Sequence, residues 1–221
     1  MKSRRAVVLL SGGLDSATAL YKARKDGYRC FCLIFDYGQR HRKELRAARR
    51  VAESAGAAYE VVKIGFPQRG SSLLDKRLKL VSNVGKGIKI PPTYVPGRNI
   101  VFLSYALSFA EIHKAQAIFI GAHALDYSGY PDCRPEFFRA FRNMARLGTK
   151  AGIENKSIRI LAPLLHKNKA QIIRLGKKLG VPFELTWSCY RGTSKPCGEC
   201  DSCYYRAKGF KEAGLTDPLL R

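Results

Sequence analysis

The chain has 221 residues, 46% of them hydrophobic, which suits one α/β domain with a small appendage and excludes a disordered chain. Forty basic against 17 acidic side chains give a net charge of +23, which favours phosphate-bearing partners, yet the charge is spread along the chain, so it allows a nucleic-acid contact without requiring one. No apolar run reaches the ~18 residues of a membrane span, and the apolar stretch after the basic start Met1–Arg5 is too short for a signal peptide, so a cytoplasmic chain with no membrane contact is expected.

Arg5–Leu10 reads as a buried parallel strand. Ser11-Gly12-Gly13 turns the chain, and Asp15 or Ser16 is placed to cap a helix over Ala17–Asp26 that Gly27 stops. Tyr28–Phe35 is a second strand, Lys43–Ala55 a helix and Tyr59–Ile64 a third strand. Residues 66–96 lack periodicity and end in a Pro-rich stretch, the mark of a lid or mobile loop. Asn99–Lys114 is a long helix with Asn99 read as its cap, Ala117–Gly121 a fourth strand and 122–135 a polar loop. Glu136–Leu147 is helical, Ile158–Leu161 a short strand and Lys169–Leu179 a helix ended by Gly180. Strands alternating with helices of this length predict an α/β, doubly wound parallel sheet with right-handed crossovers.

The hexapeptide Ser11-Gly12-Gly13-Leu14-Asp15-Ser16 falls between the first strand and first helix, where open α/β sheets bind ligands. Its glycines let a phosphate approach the backbone, and N–H groups at a helix start favour an anion. The hydroxyls of Ser11 and Ser16 add donors, and Asp15 suits Mg²⁺, which takes carboxylate and phosphate oxygens. No Gly-Lys-Ser/Thr follows, so the loop is not a P-loop. The expected nucleotide-binding residues are Leu10, Ser11, Gly12, Gly13, Leu14, Asp15, Ser16, Ala17 and Thr18.

Seven cysteines, an odd number without a signal peptide, argue against a disulfide framework. Cys189, Cys197, Cys200 and Cys203 read C-x7-C-x2-C-x2-C, which predicts a closed four-thiolate Zn²⁺ site; an iron–sulfur cluster is the competitor, but its usual C-x3-C-P element is absent. Cys30 and Cys32 alternate on one strand face and read as core, and Cys133 reads as packing rather than as a nucleophile. Trp187 reads as core, and His113, His123 and His166 carry no predicted role. The organisation expected is an ATP-binding α/β domain over 1–185 and a zinc-binding tail over 186–221.

The Ser11–Ser16 loop resembles the SGGxDS motif of the PP-loop ATP hydrolases. With Phe35–His41 (FDYGQRH), Val95–Asn99 (VPGRN), Asp126–Arg134 (DYSGYPDCR), Thr186–Tyr190 and the cysteine tail, the chain from Ala6 to about Pro218 is similar to the 7-cyano-7-deazaguanine synthases, a PP-loop family. The resemblance implies an adenine nucleotide alpha hydrolase-like, Rossmann-like fold. It implies a homodimer using ATP, Mg²⁺ and Zn²⁺ to turn 7-carboxy-7-deazaguanine and ammonia into a nitrile, by adenylating the carboxylate, forming an amide and activating that amide again. Such an enzyme is a carbon–nitrogen ligase supplying queuosine or archaeosine precursors for tRNA modification.

On this reading Asp15, Ser16, Arg98, Asp126 and Asp132 carry catalysis. Arg98 clamps pyrophosphate or carboxylate, because a guanidinium fork matches such anions. Asp126 and Asp132 accept the N–H donors of a guanine-like edge, with turn capping as their competing use. Gln39 and His41 line the substrate pocket, where His41 is placed to help deprotonate ammonium or else is a plain loop histidine. Two rivals remain open: a PP-loop enzyme acting directly on tRNA, which the charge supports, and a non-catalytic zinc nucleic-acid adaptor, which the intact Ser11–Ser16 loop opposes.

Overall fold

The computed structural model describes residues 4–67, 69–80, 82, 84, 90–123 and 129–220. Strands β1 (Arg4–Leu9), β2 (Tyr28–Asp36), β3 (Ala58–Lys63), β4 (Ala117–Phe119) and β5 (Arg159–Leu161) form one sheet in the order β3-β2-β1-β4-β5. Every pairing is parallel, with Val7 opposite Phe31 on one side and Ile118 on the other. The helices are α1 (Leu14–Lys25), α2 (Lys43–Ser54), α3 (Arg98–Ile112), α4 (Pro135–Gly148), α5 (Lys150–Ile153), α6 (Lys169–Leu179) and α7 (Asp201–Ala213).

Side chains alternate across a strand, and here both faces are apolar. Ala6, Val8, Cys30, Cys32, Ile34 and Phe119 meet residues of α1, α2, α6 and α7 in one core. Val7, Leu9, Leu33, Phe35 and Ile118 meet α3 and α4 in the other. The sheet grows one way from β1 through β3, then returns to β4 beside β1. Keeping one crossover hand while reversing direction puts the returning helix on the opposite face, which is where α3 lies. The reversal leaves a crevice at the carboxyl ends of β1 and β4, the usual ligand position in such sheets.

Three sequence expectations shift. Helix α1 begins at Leu14, so Asp15 and Ser16 lie inside its first turn and neither caps it; Gly13 is the N-cap and has no side-chain partner. The stretch predicted to be a lid packs where it is described. Phe66, Leu73 and Leu74 enter the α3-side core, Ser72 N–H donates to Pro92 O (2.8 Å), and Arg40 donates to the Asp75 and Leu78 carbonyls (3.1 and 2.7 Å). Residues 71–75 are buried in one unbroken run that mixes polar and apolar side chains, which is why no periodicity announced them. Helix α7 was hidden behind the cysteine cluster. Gly209 lets α7 lie against α6, since a Cβ there would fall 2.3 Å from Lys169 Cγ.

Candidate active site

The loop after β1 is closed on itself before any ligand arrives. Ser11 N–H donates to Ser16 Oγ (3.2 Å), the two hydroxyls are 3.0 Å apart, and Ser16 Oγ donates to Gly13 O (3.0 Å). Two glycines set its position. Gly12 has φ +83°, and a Cβ there would lie 2.3 Å from Glu44 O and 2.7 Å from Ala48 N, so only glycine lets the loop rest on α2. Gly121, just after β4, has the same function from the other side: a Cβ would lie 2.8 Å from Ser16 N and 2.9 Å from the Asp15 carbonyl carbon. The tail closes the arrangement, because Trp187 N–H donates to Gly12 O (2.9 Å).

The Asp15 carboxylate is engaged by the protein. Lys169 Nζ, from the start of α6, reaches both oxygens at 2.9 and 2.7 Å. His123 Nε2 lies 3.3 Å from Asp15 Oδ2 and 3.0 Å from Lys169 Nζ. Burial opposes the charge on Asp15, yet Lys169 and His123 outweigh it and hold the carboxyl well below the usual carboxylate range. His123 and Lys169 carry no motif. Sequence alone does not bring positions 15, 123 and 169 together; the adjacency of β1 and β4 brings in His123, and the packing of α6 on α1 brings in Lys169.

These groups open onto a cavity of about 540 Å³, lined by Ser11, Gly13, Asp15, Ser16, Gln39, His41, Glu44 and Arg98 among others. Such a volume suits a small-molecule site. Leu10 and Leu14 also line it, whereas Ala17 and Thr18 are buried in α1 behind the loop. Arg98 opens α3 with its guanidinium carbon 6.0 Å from the Tyr37 ring centroid. Burial works against its cation, but Tyr37, Tyr130, Cys133 and Asp132 more than compensate and push its pKa further up. Burial pushes the Tyr37 hydroxyl up to about 12.

Gln39 is fixed at both ends of its amide: Tyr37 N–H donates to Oε1 (2.9 Å), and Nε2 donates to Phe35 O (3.2 Å). His41 is buried, its Nδ1 has no hydrogen-bond partner among the described residues, and burial with the Lys43 cation lowers its pKa. Glu44 received no role from the sequence. Burial raises its carboxyl to about 7, against a hydrogen bond from Gln39 and the nearby charge of Arg98.

Asp132 is buried beside the start of α3. Asn99 N–H donates to Asp132 Oδ2 (2.9 Å), and Asn99 Nδ2 donates to Asp132 O (3.3 Å) and Cys133 Sγ (3.1 Å). Helix α3 starts after a left-handed Gly97 without a side-chain cap of its own, so an aspartate from another segment caps it and Asn99 lies inside the helix. Tyr130 and Cys133 line the cavity on either side of it. Cys133 is buried, and Asp126 lies outside the described residues.

In the tail, the Sγ atoms of Cys189, Cys197, Cys200 and Cys203 all lie within 4.8 Å of one another. A tetrahedral four-thiolate site with ~2.3 Å bonds has sulfur–sulfur edges of about 3.8 Å, and Cys197 and Cys203 are 3.9 Å apart. The Cys197 and Cys200 N–H groups donate to sulfur (both 3.4 Å), which favours thiolates, so the cluster fits a metal ion. Trp187 is half-buried rather than core: its Nε1–H donates to Cys189 O (3.0 Å) and Lys43 Nζ sits 4.7 Å from its ring. Buried Arg206 fastens the tail through Asp217 (2.6 and 2.9 Å) and Thr186 Oγ1 (2.8 Å). No described helix is long and apolar enough to cross a membrane.

Comparison with known proteins places this geometry. Residues 5–214 match the family model described as queuosine biosynthesis protein QueC. The 7-cyano-7-deazaguanine synthase of Trichodesmium erythraeum (strain IMS101) is 50% identical, over 98% of this chain and all of that one. The synthase of the same name from Pseudomonas putida (strain W619) is 53% identical, over 99% of this chain and 98% of that one. Among solved structures, NMN synthetase from Francisella tularensis shares the fold with a TM-score of 0.53 at 18% identity, over 97% of this chain and 79% of that one. A 4-thiouridine synthetase, solved with RNA and bound ATP, aligns with a TM-score of 0.52 at 18% identity, over 96% of this chain and 50% of that one. Matched along almost its whole length by the family model and by relatives of equal extent, the chain belongs to the QueC family of queuosine biosynthesis proteins.

Proposed function

We propose that this chain is an ATP-dependent carbon–nitrogen ligase that converts 7-carboxy-7-deazaguanine and ammonia to 7-cyano-7-deazaguanine. The observation that carries the reading is identity of about half the residues with synthases of that name over their full length. It is supported by an SGGLDS loop that faces a cavity large enough for a nucleotide's reacting end and a small planar acid.

A carboxylate does not accept ammonia, because hydroxide leaves poorly. Attack of a carboxylate oxygen on the α-phosphorus of ATP, entering as its Mg²⁺ complex, expels pyrophosphate and creates a good leaving group. The transition state gathers negative charge beside the N-terminus of α1, whose first-turn N–H groups and macrodipole favour it. Lys169, oriented by Asp15 and flanked by His123, sits at the same loop and supplies a fixed cation. Removing one such donor costs ~3 kcal/mol of barrier, about 100-fold in rate. Arg98 holds the substrate carboxylate across the cavity. Ammonia displaces AMP to give the amide, and a second activation on the amide oxygen lets it leave as the nitrile forms.

Zn²⁺ fits the four thiolates of Cys189, Cys197, Cys200 and Cys203 and would staple a tail too small to bury a core. The tail's own work is positional, since Trp187 holds Gly12. The test is to incubate metal-replete protein with Mg-ATP, ammonium and 7-carboxy-7-deazaguanine and follow products by mass spectrometry. Nitrile with AMP is the expected result; AMP without nitrile refutes the substrate assignment.

A further inference from the structure

An activated carboxylate reacts with ammonia and not with ammonium, so a base in the cavity that binds ammonium and takes its proton would deliver the nucleophile where it is used. Among the described lining residues the carboxylates are those of Asp15, Asp201 and Glu44. Asp15 has both oxygens on Lys169. Asp201, at the start of α7, accepts the Ser82 hydroxyl (2.6 Å). Glu44, in the first turn of α2, has no ion-pair partner among the described residues; beside it lies the Gln39 amide, which favours its charged form and whose orientation the Tyr37 N–H and Phe35 carbonyl fix at 2.9 and 3.2 Å. Arg98 lies close enough for its charge to bear on Glu44. One wall of the cavity thus sets a cation that holds a carboxylate beside a carboxylate that holds a cation. His41, the other candidate base on this wall, is disfavoured, because burial, together with the Lys43 cation, opposes its protonation.

We propose that Glu44 is the ammonium-binding residue and the base that releases ammonia, with Gln39 as its positioning residue; this rests on the function proposed above. The Glu44 carboxylate takes one proton from ammonium. The freed nitrogen lone pair forms the C–N bond to the acyl-adenylate carbon, and the C–O bond to AMP breaks with its electron pair leaving on the phosphate. The adduct nitrogen then gives a second proton to the departing AMP or to water, and Glu44 returns its own proton to solvent, leaving the amide.

The reaction can be entered before or after this step, which gives the test. With Glu44→Gln, conversion of the carboxylate plus ammonium falls about 100-fold or more, the usual size of a lost general base. Nitrile formation from the presupplied amide, and carboxylate-dependent ATP–pyrophosphate exchange without ammonium, fall by less than about tenfold. An equal fall in the amide route, or loss of exchange in a folded variant, overturns the proposal and makes Glu44 a reader of the purine edge. Should E44Q fail to fold, Glu44→Asp carries the test. The shortened carboxylate raises the KM for ammonium and leaves that for the carboxylate unchanged, and an unchanged ammonium KM overturns the proposal. If the wild-type chain makes no nitrile from either entry, the function itself fails, which is a separate result.

Discussion

Gly121→Ala tests whether the nucleotide loop is set by the end of β4. The new methyl would lie 2.8 Å from Ser16 N and 2.9 Å from the Asp15 carbonyl carbon, both backbone atoms that cannot rotate away. Ordinary contact begins near 3.4–3.5 Å, so the start of α1 must move by roughly 0.6 Å. Overpacking of this kind costs about 1–3 kcal/mol of stability. The larger effect falls on catalysis, because a displacement approaching 1 Å at a reacting centre costs on the order of 100-fold. We therefore expect carboxylate-dependent ATP–pyrophosphate exchange to fall about 10- to 100-fold while the variant still unfolds cooperatively in urea. Gly65→Ala is the control. It is exposed, with nothing within 4 Å of its added Cβ, and restricting the unfolded chain there makes the protein unchanged or slightly more stable. A G121A enzyme with wild-type exchange would refute the argument that β4 fixes the loop.

Other outcomes follow from the same structure. Lys169→Met leaves the Asp15 carboxylate without its cation and costs about 1–3 kcal/mol at neutral pH. Because Asp15 is depressed in the folded state, that stability is present above the unfolded pKa of ~3.9 and is lost as pH falls through the folded value; the gap between wild type and K169M in urea unfolding should close below about pH 4. Arg206→Met strands buried Asp217 and costs about 3–5 kcal/mol by denaturation, and adding Asp217→Leu recovers most of it. On the proposed Zn²⁺ site, elemental analysis should count one zinc per chain that chelation or Cys203→Ser removes, with a shift in the emission of Trp187, the only tryptophan, whose indole is tied to Cys189 O.

The alternation of strands and helices was legible because each element buries an apolar face with its own period, and β1, β2 and α6 appear within a residue or two of the expected ends. The SGGLDS loop and the four cysteines were legible because their chemistry is local: the donors sit within one turn or one short tail. What could not be read depends on packing between distant segments. His123 joins Asp15 because β4 lies beside β1, and Lys169 because α6 packs on α1. A carboxylate's use is set by the donor it meets. Asp132 meets the open N-terminus of α3 and caps it, whereas Glu44, silent in the pattern, faces the cavity beside Gln39 and within reach of the Arg98 charge. The irregular stretch after β3 read as a lid or mobile loop for want of a period, although Phe66, Leu73 and Leu74 enter the core.

The central claim is that a single PP-loop site activates one carbon through its oxygens by adenylation. The direct test is to supply 7-carboxy-7-deazaguanine labelled with ¹⁸O in both carboxylate oxygens, with ammonium and Mg-ATP, and to weigh the nucleotides released as nitrile forms. The account predicts that each activation returns one labelled AMP, so that both oxygens of the carboxylate end on AMP. Unlabelled AMP, or ADP with labelled phosphate, would contradict it.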